Sequence, residues 1–173
     1  MKNRVERIIT LRVNGREYEF PIGTAQGQIP PQETLAHTLR DRLQLTGTKT
    51  ACDEGACGCC TVIMNGEAVT SCMTFTCDCD GADITTIEGL ADATTGELSG
   101  LQQAFLDNVG FQCGFCTPGI IMSAEALLRR KEYPTEEEVR EALSGNLCRC
   151  GTHYSAVESV MAYVEQRRKA NND

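Results

Sequence analysis

Residues 51 to 60 read ACDEGACGCC, with cysteines at positions 52, 57, 59 and 60, and Cys72, Cys77 and Cys79 follow closely. Thiols this dense have three uses: oxidation to disulfides, metal ligation, or nucleophilic reactivity. Each use imposes a different loop on the stretch, so the choice among them decides the fold.

Composition narrows the choice. The start, MKNRVERIITLRVNG, carries charges at residues 2, 4, 6 and 7 and contains no apolar run of signal-peptide length. No later stretch approaches the roughly 20 apolar residues of a membrane span. This reading places the chain in the reducing cytoplasm, where its 11 cysteines are poor disulfide candidates and the odd count leaves one unpaired. Metal ligation is then the leading use. The 16 basic and 24 acidic residues give a formal net charge of -8, and the longest basic runs are the triplets at 129–131 and 167–169. That balance argues against a nucleic-acid partner and for protein or small-molecule partners.

Spacing sorts the thiols. Cys52-x4-Cys57-x2-Cys60, followed by Cys72, is the plant-type [2Fe-2S] pattern. Three thiolates from one loop must converge on an inorganic core, so the loop wraps tightly and turns its amides toward sulfur. Gly55 and Gly58 suit such a loop because glycine reaches left-handed φ. Zinc more often uses two short paired spacings.

The first half of the chain reads as strands and tight turns. Ile9, Leu11 and Val13 alternate with polar residues up to Asn14-Gly15, and Tyr18 and Phe20 alternate on the return, which predicts a hairpin with a type I′ turn. Thr61–Met64, Asn65-Gly66 and Glu67–Val69 predict a second. Leu35, Leu39 and Leu43, after Pro30-Pro31, predict one amphipathic helix packed on the sheet, and residues 83–87 a final strand. From about residue 98 the period turns helical. Leu101, Ala104, Phe105 and Val109 share one face; Ile120, Ile121, Ala124, Leu127 and Leu128 share another, behind Thr117 as N-cap and Pro118 at the first helical position. Thr135 to Glu138 is a capping box for a helix that Gly145-Asn146 should stop, and residues 155–158 open a last helix with Val157, Val160, Met161 and Val164 inward. Residues 91–96 are the expected linker. The fold class is α+β: a β-rich domain at 1–90 and a four-helix domain at 91–173.

The second half holds Cys113-Gly-Phe-Cys116 and Cys148-Arg-Cys150. A CxxC with a CxC serves zinc, iron-sulfur and redox dithiols alike. The dithiol reading lacks its βαβ context; spacing alone leaves zinc and iron-sulfur open.

Taken in order, the motifs LTGTK (45–49), CDEGACGCCTV (52–62), NGEAVTSC (65–72), QCGFCTPGIIMSAEALL (112–128) and SGNLCRCGTHY (144–154) resemble the small iron-sulfur subunit of the xanthine oxidase family of molybdenum hydroxylases. The resemblance covers nearly the whole chain. It implies a plant-ferredoxin-like (β-grasp) domain with one [2Fe-2S] cluster held by Cys52, Cys57, Cys60 and Cys72. It implies a helical domain with a second cluster held by Cys113, Cys116, Cys148 and Cys150. By the same resemblance, Gln112 and Cys150 contact the molybdopterin of a large partner subunit, and electrons pass on to FAD on a medium subunit or to a cytochrome subunit. The implied assembly is a heterotrimer or its dimer. The substrate class implied is an N-heterocycle such as a purine or nicotinate, with an aldehyde or aromatic acyl-CoA oxidoreductase, or a free-standing ferredoxin-like carrier, as alternatives. No catalytic residue is expected in this chain, since it has no Ser/His/Asp set, no phosphate-binding glycine loop and no carboxylate pair in a catalytic setting.

Cys59, Cys77 and Cys79 are read as small buried residues. His37 has no visible partner, and His153 is read as a helix-start or interface residue. Residues 23–31 form a long loop. Gly151-Thr152-His153 departs from the Thr-Gly-Tyr of many family members and looks more like members acting on N-heterocycles.

Overall fold

The structure is a computed structural model that describes residues 7–171; the reading of residues 1–6 as free of a leader lies outside the described residues. Both Asn-Gly pairs turn as their chemistry requires, with φ of 50° and 79° at Asn14 and Gly15 and of 52° and 90° at Asn65 and Gly66. They close the hairpins β1 (Arg7–Val13) with β2 (Arg16–Ile22), and β3 (Thr61–Met64) with β4 (Glu67–Thr70). Strand β5 (Asp83–Thr85) lies between the hairpins, giving the order β2-β1-β5-β3-β4. It runs parallel to β1 and antiparallel to β3. The chain leaves it through a 3-10 turn at Ile87–Leu90, so the last strand is shorter than expected.

Alternation gives the sheet two uses. Ile9, Leu11, Val13, Val62 and Ile84 pack on Leu35, Leu39 and Ile29. The helix there starts at Leu35, four residues after Pro31, as α1 (Leu35–His37) and continues as a π-helical turn, Thr38–Arg42, in which the Leu43 amide donates to the Thr38 carbonyl at 3.1 Å. His37 is partnered after all: its Nδ1 lies 2.9 Å from Thr34 Oγ1. The long loop at 23–31 is pinned rather than loose, because Ile29 is fully buried and bridges to Ile22.

The other face of β3 carries the second half. Ile63 packs on Met122 and Ala126 of α3 (Thr117–Arg130). With α2 (Gly100–Asp107), α4 (Glu136–Leu143) and α5 (His153–Ala170), α3 encloses a core of Phe105, Leu101, Ile120, Ala124, Val139, Leu143, Val157 and Val160. Thr135 and Glu138 form the expected capping box, and Ser99 with Gln102 forms another.

Three local expectations are corrected. Cys116, not Thr117, is the N-cap of α3. Helix α5 begins at His153, two residues before Ser155, whose Oγ donates back to the Thr152 carbonyl instead of opening a capping box. Val109 does not share the buried face of α2; it lies beyond the helix, 68% exposed, at φ 50°. The reason is its neighbour: a Cβ on Gly110 would meet Ser159 Oγ at 2.6 Å and Phe105 Cδ1 at 2.7 Å, so Gly110 is committed to close packing and Val109 must take the left-handed turn.

Glu33 accepts from Arg42 Nε and Nη2, both at 2.6 Å, and from the buried Thr38 hydroxyl at 2.7 Å. The Arg42 guanidinium holds its carboxyl below the usual range. A depressed carboxylate stabilises the fold above its unfolded pKa, and that stability is lost as pH falls through the folded value. Glu33→Gln should therefore cost about 1–2 kcal/mol at neutral pH. The gap between variant and wild type should close below the ordinary glutamate range, as followed by urea unfolding across pH.

Candidate functional site

The loop between α1 and β3 wraps as its glycines require, with positive φ at Gly55 (76°) and Gly58 (68°), and also at Asp53 (56°), a residue type that tolerates the left-handed region. The wrap brings Cys52 and Cys57 within proton-sharing distance and turns the amides of Glu54 and Ala56 onto the Cys52 sulfur. The 3-10 turn Ser71–Met73 delivers Cys72 from beyond the second hairpin to Cys60, in a small buried cluster with Ala36. The Gly55 amide is aimed at the Cys72 sulfur. The four cysteines expected in the first set are thus together, as two contacting pairs.

The second set is built at helix ends. Cys113 and Cys116 lie on the turn entering α3, Cys148 and Cys150 between α4 and α5. Here too the sulfurs pair, Cys113 with Cys150 and Cys116 with Cys148. All four line a cavity of about 460 Å³, with Phe115 and Leu147 at its rim. Amides point inward again, from Phe115 to Cys113, from Cys113 to Cys150 and from Thr152 to Cys148.

The electrostatics follow from this crowding. The Glu54 amide, then the Cys57 thiol and the amides of Ala56 and Cys57, draw Cys52 down to about 7 against the opposing effect of burial. Burial acts most on Cys148 and opposes its ionisation, yet the Thr152 hydroxyl and amide, with Cys116 and the Cys150 amide, bring it to about 7. Burial, reinforced by the partner thiols Cys60 and Cys148, pushes Cys72 and Cys116 up to about 12. In the Cys116–Cys148 and Cys113–Cys150 pairs one sulfur is drawn down while its neighbour is pushed up. Full ionisation of either set needs a positive core among the sulfurs.

The thiols gather as pairs, with Cys60 and Cys72 in one buried cluster and Cys113, Cys116, Cys148 and Cys150 around one cavity. Two facing pairs suit a two-iron, two-sulfide core, in which each iron takes two thiolates, better than a single tetrahedral ion. The donor set and the inward amides fit such a cluster at both places.

The two sites meet at a main-chain seam. The Leu147 amide donates to the Cys57 carbonyl at 2.9 Å, and Asn146 Nδ2 donates to the Gly58 carbonyl at 3.0 Å. Cys59 crosses this seam: 5% exposed, it packs in the core of the helical half, where its thiol feels Cys57 and Cys116 and is pushed up to about 12 chiefly by burial. Cys79 is buried, with Sγ 3.3 Å from the Phe75 carbonyl; Cys77 is only half-buried, with Sγ 3.3 Å from the Pro31 carbonyl. Gln112 is exposed beside Cys113. His153 opens α5 with Nε2 3.0 Å from the Leu143 carbonyl. Sequence reasoning missed Thr152, whose Oγ1 lies 3.0 Å from Cys148 Sγ. It also missed Gly119, whose only signal was its place three residues after a cysteine.

Comparisons with known proteins agree with this geometry. The family model "2Fe-2S iron-sulfur cluster binding domain" matches residues 12–89, and "[2Fe-2S] binding domain" matches residues 86–161. The chain is 47% identical to the nicotine 6-hydroxylase small subunit of Paenarthrobacter nicotinovorans, over 92% of this chain and 89% of that one. It is 45% identical to the nicotinate dehydrogenase small FeS subunit of Eubacterium barkeri, over 79% and 85%. Among solved structures it is similar to quinoline 2-oxidoreductase from Pseudomonas putida 86, with a TM-score of 0.83 and 35% identity over 94% of this chain and 96% of that one.

Gly119 tests the seam. A Cβ there would meet the Gly58 carbonyl oxygen at 2.2 Å and Cys59 Cα at 3.0 Å, both main-chain atoms that no rotamer can move. Gly119→Ala should cost about 1–3 kcal/mol. In the iron-loaded protein it should also weaken the magnetic interaction between the two reduced clusters, read as reduced splitting in electron paramagnetic resonance. Unchanged stability and splitting would show that the contact carries no strain.

Proposed function

This chain belongs to the small [2Fe-2S] subunits of the molybdenum hydroxylase family, and from that premise we propose that it relays electrons from a molybdenum centre on a large subunit to an acceptor on another. The observation that carries the reading is the gathering of eight thiols into two neighbouring sets, Cys60 and Cys72 buried together below the Cys52–Cys57 loop and Cys113, Cys116, Cys148 and Cys150 around one cavity, linked by the bond from the Leu147 amide to the Cys57 carbonyl. Cys52, Cys57, Cys60 and Cys72 hold one cluster, and Cys113, Cys116, Cys148 and Cys150 the other. Each cluster, when bound, takes up and releases one electron. The residues of this chain position the two sites, keep water from Cys60, Cys72 and Cys116, and aim amide dipoles at the sulfurs.

We place the division between the two units at residues 90 and 91. Gln112 and Cys150 face the pterin of the large subunit. Large apolar side chains stand exposed in the same segments, with Phe115 at 45%, Leu147 at 59% and Tyr154 at 63%. A lone chain rarely leaves such residues together in water, which supports a partner covering that end. Met73 and Phe75, 60% and 47% exposed beside Cys72, mark the other end, toward a flavin- or cytochrome-bearing subunit. We assign the complex to hydroxylation of an N-heterocycle such as a purine or nicotinate, because the relatives named for nicotine and nicotinate are 47% and 45% identical to this chain, against 39% for the iron-sulfur-binding subunit of an Escherichia coli aldehyde oxidoreductase. The assembly is a heterotrimer or its dimer, working in the cytoplasm. Among the described residues no helix is long and apolar enough to cross a membrane.

Purification of the native complex tests the reading. A much larger molybdopterin-bearing chain should accompany this one, with four irons per copy and two distinguishable [2Fe-2S] signals in electron paramagnetic resonance. Cys150→Ser should diminish the helical-domain signal and slow reduction by substrate, leaving the ferredoxin-like signal in place. A chain that purifies alone, or a single signal in the wild type, overturns the assignment.

A further inference from the structure

Thr152 is 5% exposed and occupies the N-cap of α5, where a threonine hydroxyl ordinarily accepts from an amide of the first turn. It makes no such bond. Its Oγ1 lies instead 3.0 Å from Cys148 Sγ. The neighbouring first-turn side chains bond to carbonyls: Ser155 Oγ donates to that of Thr152 at 3.1 Å, and His153 Nε2 lies 3.0 Å from that of Leu143. Gly151, at φ 81°, makes the left-handed turn that carries the chain from Cys150 back over Cys148.

We propose that Thr152 donates an O–H···S hydrogen bond to Cys148 and thereby raises the reduction potential of the helical-domain cluster. The inference rests on the reading that Cys148 is a cluster ligand. The direction of the bond follows from that reading, because a metal-bound thiolate carries no proton and the hydroxyl must donate. An electron added to the cluster increases the negative charge on the core and its thiolates. A hydroxyl dipole aimed at one of those sulfurs stabilises the reduced form more than the oxidised one. Burial strengthens the effect, since little water competes for the sulfur. The Thr152 amide points at the same sulfur and acts in the same sense. One electron enters, no covalent bond forms or breaks, and the proton stays on Oγ1. Thr152 is a positioning and tuning residue; it does not touch substrate.

The test is a mediator-coupled redox titration of the purified complex with dithionite as reductant, followed by electron paramagnetic resonance. Thr152→Val removes the hydroxyl at nearly constant shape and Thr152→Ser keeps it. The valine variant should shift the reduction equilibrium of the helical-domain cluster about threefold to tenfold toward the oxidised form, tenfold being about 59 mV for one electron. The ferredoxin-like cluster should titrate as in the wild type, and the serine variant should restore the helical-domain midpoint. An unchanged midpoint in the valine variant, an equal shift of both clusters, or a serine variant that shifts as far as valine overturns the proposal. Thr152→Ala is the second hydroxyl-free variant; loss of iron from both alanine and valine variants also overturns it, since the hydroxyl then serves assembly. A wild-type complex with fewer than four irons per copy would instead sink the ligand assignment, a result distinct from any of these.

Discussion

Two main-chain carbonyls hold the halves of this molecule in register. Those of Cys57 and Gly58 accept from the Leu147 amide and the Asn146 side chain, so the loop carrying the first cysteine set is tied to the residues just before Cys148. The approach is possible because both chains are bare where they touch: a side chain on Gly58 would strike the Gly145 carbonyl at 2.6 Å, and one on Gly119 the Gly58 carbonyl. The relative placement of the two sites is therefore set by close main-chain approach together with the packing of Ile63 on Met122 and Ala126. From Cys148 the path to Cys57 crosses one residue and one hydrogen bond.

The same compactness creates an electrostatic demand. Eight thiols paired in half-buried sites cannot all ionise beside one another, and burial pushes Cys72 and Cys116 up to about 12. The loops answer with amides: Glu54, Gly55, Phe115, Cys113 and Thr152 each aim one at a sulfur. Left-handed turns at Asp53, Gly55, Gly114 and Gly151 lie beside these donors. Loop conformation and charge compensation are thus one requirement, which is why the stretch 52–60 is both rich in glycine and cysteine and poor in large side chains.

How much of this is legible in sequence follows the range of each interaction. Asn14-Gly15, Asn65-Gly66 and the Thr135–Glu138 box are local, and their structures match their reading because the deciding contacts lie within a few residues. The cysteine spacings are legible for the same reason, with three of the first four thiols in one loop. What escapes is long-range. The parallel pairing of β5 with β1 joins Val13 to Ile84, and the packing of Cys59 on the helical core depends on α3 lying across β3. Val109 escapes because its backbone is dictated by what Gly110 must fit against. Thr152 escapes because a threonine before a helix reads as a cap, and only the position of Cys148 shows that its hydroxyl is used elsewhere.

Burial divides each cysteine set in a way that bears on direction. Cys60 and Cys72 are 2% and 4% exposed, whereas Cys52 and Cys57 are half-buried; Cys116 is buried, whereas Cys113 is exposed. Each site thus has an interior part, locked by the surrounding core, and a rim. The rim of the second set lies with Gln112, Phe115 and Leu147, and Met73 borders the first set, where a Cβ on Gly55 would meet its Cγ at 2.8 Å. A one-electron carrier gains from such division, because a rigid interior limits reorganisation while an exposed rim shortens the distance to a partner. With the seam between Cys57 and Leu147 joining the two sites inside the chain, each site keeps a rim in reach of solvent, and exposed apolar side chains, Phe115 and Leu147 at one and Met73 at the other, stand beside those rims.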